Sequence, residues 1–437
     1  MITWIKFPKI FFGWWTVLAG TWLNFWGSAY TVYGFSALFK PLSSELGFSR
    51  AATSVASGIS RFESGFLSPL VGWLVDKFGP KWVILFGVYL FSLALILMYF
   101  VNSLWTFYLV WGLILGTGQN FSAHIPIDKA ITNWFVRKRG LALGIRWIAS
   151  GVIILPILTW LITNLGWRTT CLIGGIVAVV VGTPIVFFSI RQHRPEYYGL
   201  LPDGATAKDE TAVETSQMID KGIKYAAEVE EIEFDARQAL RTPAFWLLTI
   251  VSASQAVATG TFFVHAIPFL TDMNIEPVKA ATIVTIAGLF GIAARLIGGI
   301  TADRLRKGQL RFLFIAALLL QATGFTIIVL RQTSTMAYPF LIFSYAGFGL
   351  IMVLTPMIGG RYFGRKAFGS IRGLMVTFAM PSAIAGPIYA GWIYDTTDSY
   401  SIAFITAIAI SAFAAVLMFL ARPPKPPAKI TDIRLIA

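Results

Sequence analysis

The chain has 437 residues, of which 56% are hydrophobic, 15% aromatic and only 13% charged. Soluble domains carry about 25% charged residues, so this composition, with a mean hydropathy of +0.71, excludes an ordinary soluble protein and indicates an integral membrane protein. The formal charge of +14 does not indicate a nucleic-acid partner, which would need a basic patch on a soluble polar face; it is read as a signature of membrane orientation.

Apolar runs near or above the roughly 20 residues that cross a bilayer as helix recur along the whole length. That excludes both a single anchor and a barrel of short alternating strands, and the expected fold class is all-α and polytopic. "MITWIKFPKI" leads straight into a long apolar run without a small-residue cleavage site, so no cleaved signal peptide is expected. Twelve spans are expected near 12–38, 51–75, 82–101, 104–132, 138–163, 167–190, 244–271, 278–302, 310–331, 336–363, 367–394 and 400–421. This gives a six-helix bundle over 1–190, a linker over 191–243, a second six-helix bundle over 244–421 and a tail over 422–437. The linker holds 11 of the 21 acidic residues and is expected to contain one amphipathic interfacial helix. Cys171 is the single cysteine and allows no intrachain disulfide, so the redox compartment is not readable.

Positive residues near span ends resist translocation. The loops after spans 2, 4, 8 and 10 hold thirteen Lys and Arg, with Arg372 counted in the last of them, against five in the opposite loops. Both termini and the linker should therefore face the cytoplasm of a cell (inner) membrane.

An internal repeat carries the most information. "GWLVDKFGPK" (Gly72 to Lys81) is echoed by "GITADRLRKG" (Gly299 to Gly308) at an offset of 227, and "WFVRK" (Trp134 to Lys138) by "YFGRK" (Tyr362 to Lys366) at 228. Two matching loops at nearly one offset imply two six-helix halves in the same orientation. Parallel repeats of this kind place a substrate site between the halves, near mid-membrane.

With these repeated loops the chain resembles the major facilitator superfamily. "GWLVDKFGPK" is similar to its signature loop between the second and third helices. The resemblance implies that Gly72 allows close helix packing, that Asp76 pairs across the half, and that Lys77 and Lys81, with Gly79 in the same motif, hold the cytoplasmic gate. Gly299, Asp303 and Arg304 form a weaker second copy. "FFGWW", "YGFSALFKPLSSELGFSRAATS", "NWFVRKRGLALGI", "LGWRTT", "FGRKAFGSIRGL" and "GPIYAGWIYDTTDSY" together resemble the monocarboxylate transporter and oxalate–formate antiporter branch.

Arg295 lies eight residues before Asp303, roughly 12 Å inside the helix end at about 1.5 Å per residue. An arginine that deep needs a carboxylate, a phosphate or several carbonyls. Position 291, where carriers of the resembled branch often show an acid or amide, is Gly, which leaves the guanidinium for an anionic substrate or for a structural pairing. His265, beside Pro268 in "TFFVHAIPFL", is implied by resemblance to face the central cavity and could accept a proton; the alternative is a packing histidine. His124 stands where relatives often place a substrate-binding tyrosine. Arg146 either supplies a second substrate cation or pairs with Asp128. Arg61 and Glu63 lie mid-span but point about 200° apart; Glu63 is a candidate for a coupling proton or for pairing with a neighbouring helix.

The three histidines (His124, His193, His265) and one cysteine show no metal-ligand spacing, and no phosphate-binding Walker pattern occurs. The expectation is a non-enzymatic secondary carrier without cofactor or metal, monomeric in the bilayer. It would move small organic anions, monocarboxylates first, with a proton by alternating access. Organic-anion exchange of the oxalate–formate type is the alternative, and a non-transporting sensor of carrier fold is the third reading.

Overall fold

The computed structural model describes residues 10–47, 50–149, 154–205, 215–227 and 232–426. Among them the regular structure is entirely helical. Among the described residues, eight helices are long and apolar enough to cross a membrane. Seven spans are single helices at Pro80–Leu97, Pro243–Asp272, Pro277–Arg304, Leu310–Leu330, Ala337–Phe363, Phe368–Thr397 and Ser401–Leu420, and the second span is the more polar helix Arg50–Phe78. Many begin with proline at the first turn, where a missing N–H costs nothing, as at Pro80, Pro243 and Pro277.

Three spans expected to be continuous are interrupted. The first passes from Gly13–Ser28 through a π-helical stretch, Ala29–Gly34, into Phe35–Leu46. The fourth has a π-helical stretch at Tyr108–Leu115 and then breaks between Ser122 and Ile125. The helix of the fifth ends at Arg146, and the next α-helix among the described residues is Leu155–Ser189, which passes through a turn at Gly166 with φ of 80°. Irregular backbone at membrane depth is tolerated where it lines a cavity, and π-bulges concentrate at functional positions.

The linker, the start of the first span and the end of the twelfth lie together on one side, here termed the linker face. Tyr362 donates to the Ala421 carbonyl there at 2.9 Å, and Phe11 packs on Trp134 and Phe135. The apolar core at this face is continuous across both halves, joining Val17, Ile131 and Phe135 to Phe245, Met357 and Met418. Toward the opposite face the cores separate. One contains only first-half residues such as Tyr30, Phe91 and Trp111; the other contains only second-half residues such as Phe262, Phe325 and Phe404. The halves are therefore closed on the linker face, with space between them above it.

The expected linker helix forms at Thr215–Ala227. Two short 3-10 turns, Pro195–Tyr198 and Pro202–Gly204, precede it and bind the linker face to both halves. Asp203 accepts from the backbone amides of Val136, Arg137 and Lys138 and from the Tyr225 hydroxyl. Glu196 pairs with Arg365 at 3.0 Å, and Arg194 with Glu233 at 2.6 Å.

A candidate transport cavity and its gate

Two adjoining cavities of about 580 and 450 Å³ lie between the halves and share Ser64, His124, Ser252, Thr355 and Arg372 in their walls. The larger extends toward the opposite face past Gln119, Thr31, Phe35 and Trp111. The smaller descends toward the linker face and is bounded by Asp128, Trp147, Gln255 and Phe314.

His124 stands at the break in the fourth span. Its backbone has φ 47° and ψ −106°, a conformation that is costly for any residue but glycine and that persists only where its surroundings hold it. The break starts the helix Ile125–Trp134, with Pro126 in its first turn, and turns that N-terminus toward the cavity. Helix N-termini favour negative charge. Asp128 sits in this first turn and accepts a hydrogen bond from Arg146 at 2.6 Å, both residues being buried. Arg146 also lies over the Trp147 ring, 4.2 Å from its centroid. Of the two readings open for Arg146, the geometry contains the Asp128 pairing.

Sequence reasoning missed Arg372. Counted there as a loop residue, it lies inside the helix Phe368–Thr397 and reaches both cavities. It is within electrostatic range of Asp128 and Arg146, but it forms no hydrogen bond or ion pair among the described residues. The walls of the smaller cavity hold further donors without partners among the described residues, Trp147 Nε1 and the Gln255 amide. A signal for Arg372 existed in the sequence. Residues 372, 376, 379 and 383 follow one helical stripe, and all four line the larger cavity.

Arg295 and His265 are placed elsewhere. Arg295 lies at the contact between the eighth and fifth spans, where its Nη1 donates to the Trp147 carbonyl at 2.6 Å, and it lines neither cavity. The close approach there is set by Gly144, where a Cβ would come within 2.9 Å of the Arg295 carbonyl. Gly291 is small for a packing reason: a Cβ there would stand 3.0 Å from the Tyr345 carbonyl of the tenth span, and one on the facing Gly349 would stand 2.3 Å from the Gly291 carbonyl. His265 bridges the seventh span to the eleventh and the turn before the twelfth, through Pro387 O and Tyr400 Oη, each at 3.1 Å. Glu63 is buried against the fourth span, accepting from Thr117 Oγ1 at 2.7 Å. The Arg61 side chain lies outside the described residues.

The repeated motif builds two related closures on the linker face. Asp76 of the second span accepts from the backbone amides of Gly369 and Ser370, at 3.1 and 2.7 Å, capping the eleventh span. Asp303 of the eighth span accepts from Gly140 and Leu141, at 2.7 and 2.8 Å, capping the fifth. Each carboxylate thus holds the positive end of a helix from the other half. Glycines permit the approach: a Cβ on Gly72 would stand 2.1 Å from Gly369 O, and one on Gly299 2.2 Å from Gly140 O. Gly79, with φ of 79°, makes the turn into the third span.

The motif's lysines have different surroundings from those the resemblance implied. Lys77 stacks on Trp73 and Phe78, and Lys81 on Phe187. Arg304 is exposed. Cations that join the closure come from elsewhere: the buried Lys129 of the fourth span donates to Asp76 at 2.7 Å and to the carbonyls of Arg365 and Lys366 in the other half, and the buried Arg365 donates back to the Asn133 carbonyl at 3.1 Å.

The model of the Major Facilitator Superfamily matches residues 21–387. The chain belongs to this superfamily. It is a multi-pass membrane transporter, and the twofold closure described above is the superfamily's two-half architecture in one conformation. Among curated relatives, monocarboxylate transporter 12 of Xenopus laevis is 25% identical over 370 residues, covering 81% of this chain and 77% of the relative. A probable sulfoacetate transporter, SauU of Cupriavidus necator, is 23% identical over 405 residues and covers 87% of each. The membrane sensor protein UhpC of Salmonella typhimurium is 24% identical over 392 residues, covering 86% of this chain and 82% of the relative. Two solved structures share the fold at 11% identity: the proton:xylose symporter XylE, with a TM-score of 0.70 over 94% of each chain, and the E. coli fucose:proton symporter FucP, with 0.65 over 94% of this chain and 98% of the other.

Proposed function

We propose that this transporter carries small organic monoanions, monocarboxylates foremost, together with a proton, and that Arg372 binds the carboxylate. The observation that carries the reading is Arg372 itself, a cation in the cavity wall with no hydrogen bond or ion pair among the described residues. A guanidinium at membrane depth is favoured only when a carboxylate or comparable acceptor meets it. Asp128 does not serve, because Arg146 holds it at 2.6 Å. That pair cancels its own charge and leaves one positive charge lining the cavity, which fits one negative charge on the cargo. His124, the start of the helix Ile125–Trp134 and the unpartnered donors of Trp147 and Gln255 complete a surface rich in hydrogen-bond donors.

The likeness to monocarboxylate carriers and to a probable sulfoacetate transporter supports an anionic cargo. The positive-inside count supports a cytoplasmic linker face, and with it an outward-facing cavity. The anion meets Arg372 of the second half and His124 of the first, and its release follows separation of the two aspartate caps. Arg295 acts on this site through Trp147 as a positioning residue.

Counterflow in proteoliposomes with formate, lactate, pyruvate, oxalate and sulfoacetate tests the reading. Wild-type exchange of a monoanion is expected, with a loss of at least about 100-fold in Arg372→Ala, the scale of removing one partner of a buried charged contact, and partial activity in Arg372→Lys. Loss in Arg295→Ala with full activity in Arg372→Ala would move the site to the eighth span. Substrate binding without counterflow would make the protein a sensor, the role named for its relative UhpC.

A further inference from the structure

We propose that Glu63 carries the coupling proton, at a site separate from the anion site. The inference rests on the monoanion reading above and assigns its second ligand. Glu63 is 6% exposed. Its Oε1 accepts from Thr117, and its Oε2 is buried with no hydrogen-bond partner among the described residues. A carboxylate oxygen in that position gains most from carrying a proton itself, because an unpaired buried charge is costly and a neutral acid is far less so.

Among the described residues the surroundings supply no ion-pair partner for the acid. The fourth span presents Gly116, Thr117 and Asn120 to this part of the second span. The eleventh covers the adjoining turn with Thr377, which donates to the Gly65 carbonyl at 2.6 Å, and with Met380. None of these ionises. On its own helix the nearest charged residue in sequence is Arg61, whose side chain lies outside the described residues. Among the described residues, the ionisable groups that line the cavities are Arg372, His124 and Asp128, the last held by Arg146.

Glu63 is nonetheless close to the transport path. Ser60, Ser64 and Gly116 all line the larger cavity. A Cβ on Gly116 would stand 2.9 Å from Glu63 Oε2 and 2.7 Å from Ser60 Oγ, so the absent side chain leaves a thin wall between carboxylate and cavity. The second and eleventh spans belong to different halves, and their contact beside Gly65 must open when the linker face opens. A proton taken from water on one face can therefore leave to water on the other.

Charge explains the coupling. The starting state is the empty carrier with Glu63 ionised. Binding one monoanion at Arg372 and one proton at Glu63 Oε2 adds no net charge to the cavity, whereas either ligand alone adds a full charge. Moving an uncompensated charge through a low-dielectric path is unfavourable, so the halves reorient when both ligands are bound or neither is. The proton is bound and released as H⁺ with no bond rearrangement in the cargo.

The test uses the full-length carrier in proteoliposomes with the monoanion that gives wild-type counterflow. Wild type should accumulate it under an inward proton gradient. Glu63→Gln, a permanent stand-in for the protonated acid, should keep counterflow and lose proton-driven accumulation. Accumulation by Glu63→Gln at the wild-type level overturns the proposal, as does wild-type counterflow with no response to a proton gradient. If Glu63→Gln is inactive in both assays, Glu63→Asp decides: proton-driven uptake with a displaced pH profile supports the proposal, and an unchanged profile or no activity overturns it. Failure of wild-type counterflow with every monoanion tells against the monoanion reading instead.

Discussion

Replacing Asp303 by Asn should shift this transporter toward the state open on the linker face. The carboxylate accepts from the amides of Gly140 and Leu141 at 2.7 and 2.8 Å, and each bond crosses from one half to the other. Hydrogen bonds to a charged group contribute about 1.5–3 kcal/mol each, neutral ones about 0.5–1.5. Asparagine keeps one acceptor oxygen and loses the charge that faces the helix N-terminus. With Asp303 partly exposed, a loss of about 2 kcal/mol is the reasonable figure, which corresponds to about 30-fold in the equilibrium between closed and open states. A carrier closed 99:1 would fall to about 3:1.

Spin labels at Phe78 and Arg304, exposed positions on the linker-face ends of the two halves, would report the shift as a longer-distance population by electron–electron double resonance. The native Cys171 is fully buried and should not compete for label. Asp76→Asn should open the face further. It weakens the caps on Gly369 and Ser370 and also strips Lys129, 5% exposed, of its carboxylate, and breaking a buried pair costs about 3–5 kcal/mol. Unchanged distance distributions in both variants would refute the account of the caps as the closure.

Gly72→Ala and Gly299→Ala should each block closure of the linker face and abolish transport, because the new methyl meets a backbone carbonyl at 2.1 or 2.2 Å; Gly288→Ala, with nothing within 4 Å, should leave uptake unchanged. Equal uptake in all three would refute the close-approach argument. Asp203→Ala removes the acceptor for three backbone amides and the Tyr225 hydroxyl. It should release the linker helix and raise protease cleavage within 205–232 at least several-fold, with transport itself largely retained. An unchanged cleavage rate would mean that the other linker contacts suffice.

Why some of this was legible in the sequence follows from the range of the forces involved. The two-half fold could be read because a bilayer imposes a local rule, about twenty apolar residues per span, and because repeated loops keep their register at offsets of 227 and 228. The breaks at His124 and after Arg146 could not. They depend on the cavity side of each helix having somewhere to send its unpaired backbone groups, and that is a property of neighbouring spans. Lys77 and Lys81 illustrate the same limit: charge and position fit a gate, yet the nearest surfaces are the rings of Trp73, Phe78 and Phe187, while Lys129 reaches Asp76 from the fourth span.

The two arginines make the sharpest contrast. Depth alone favours Arg295, some 12 Å from the end of its helix, over Arg372, only four residues into its own. Depth is measured along a helix, however, and a binding site is defined across helices. Gly144 draws the fifth span onto the eighth at the level of Arg295 and fills the space beside it, so the guanidinium is directed to the Trp147 carbonyl. Arg372 heads a stripe that continues through Val376, Ala379 and Ala383, small or modest side chains that leave the interface between halves open. A cation needs an anion where the protein supplies none and leaves room for one. On that criterion the smaller neighbours, more than the depth of the charge, favour Arg372 over Arg295 as the residue proposed to meet a substrate carboxylate.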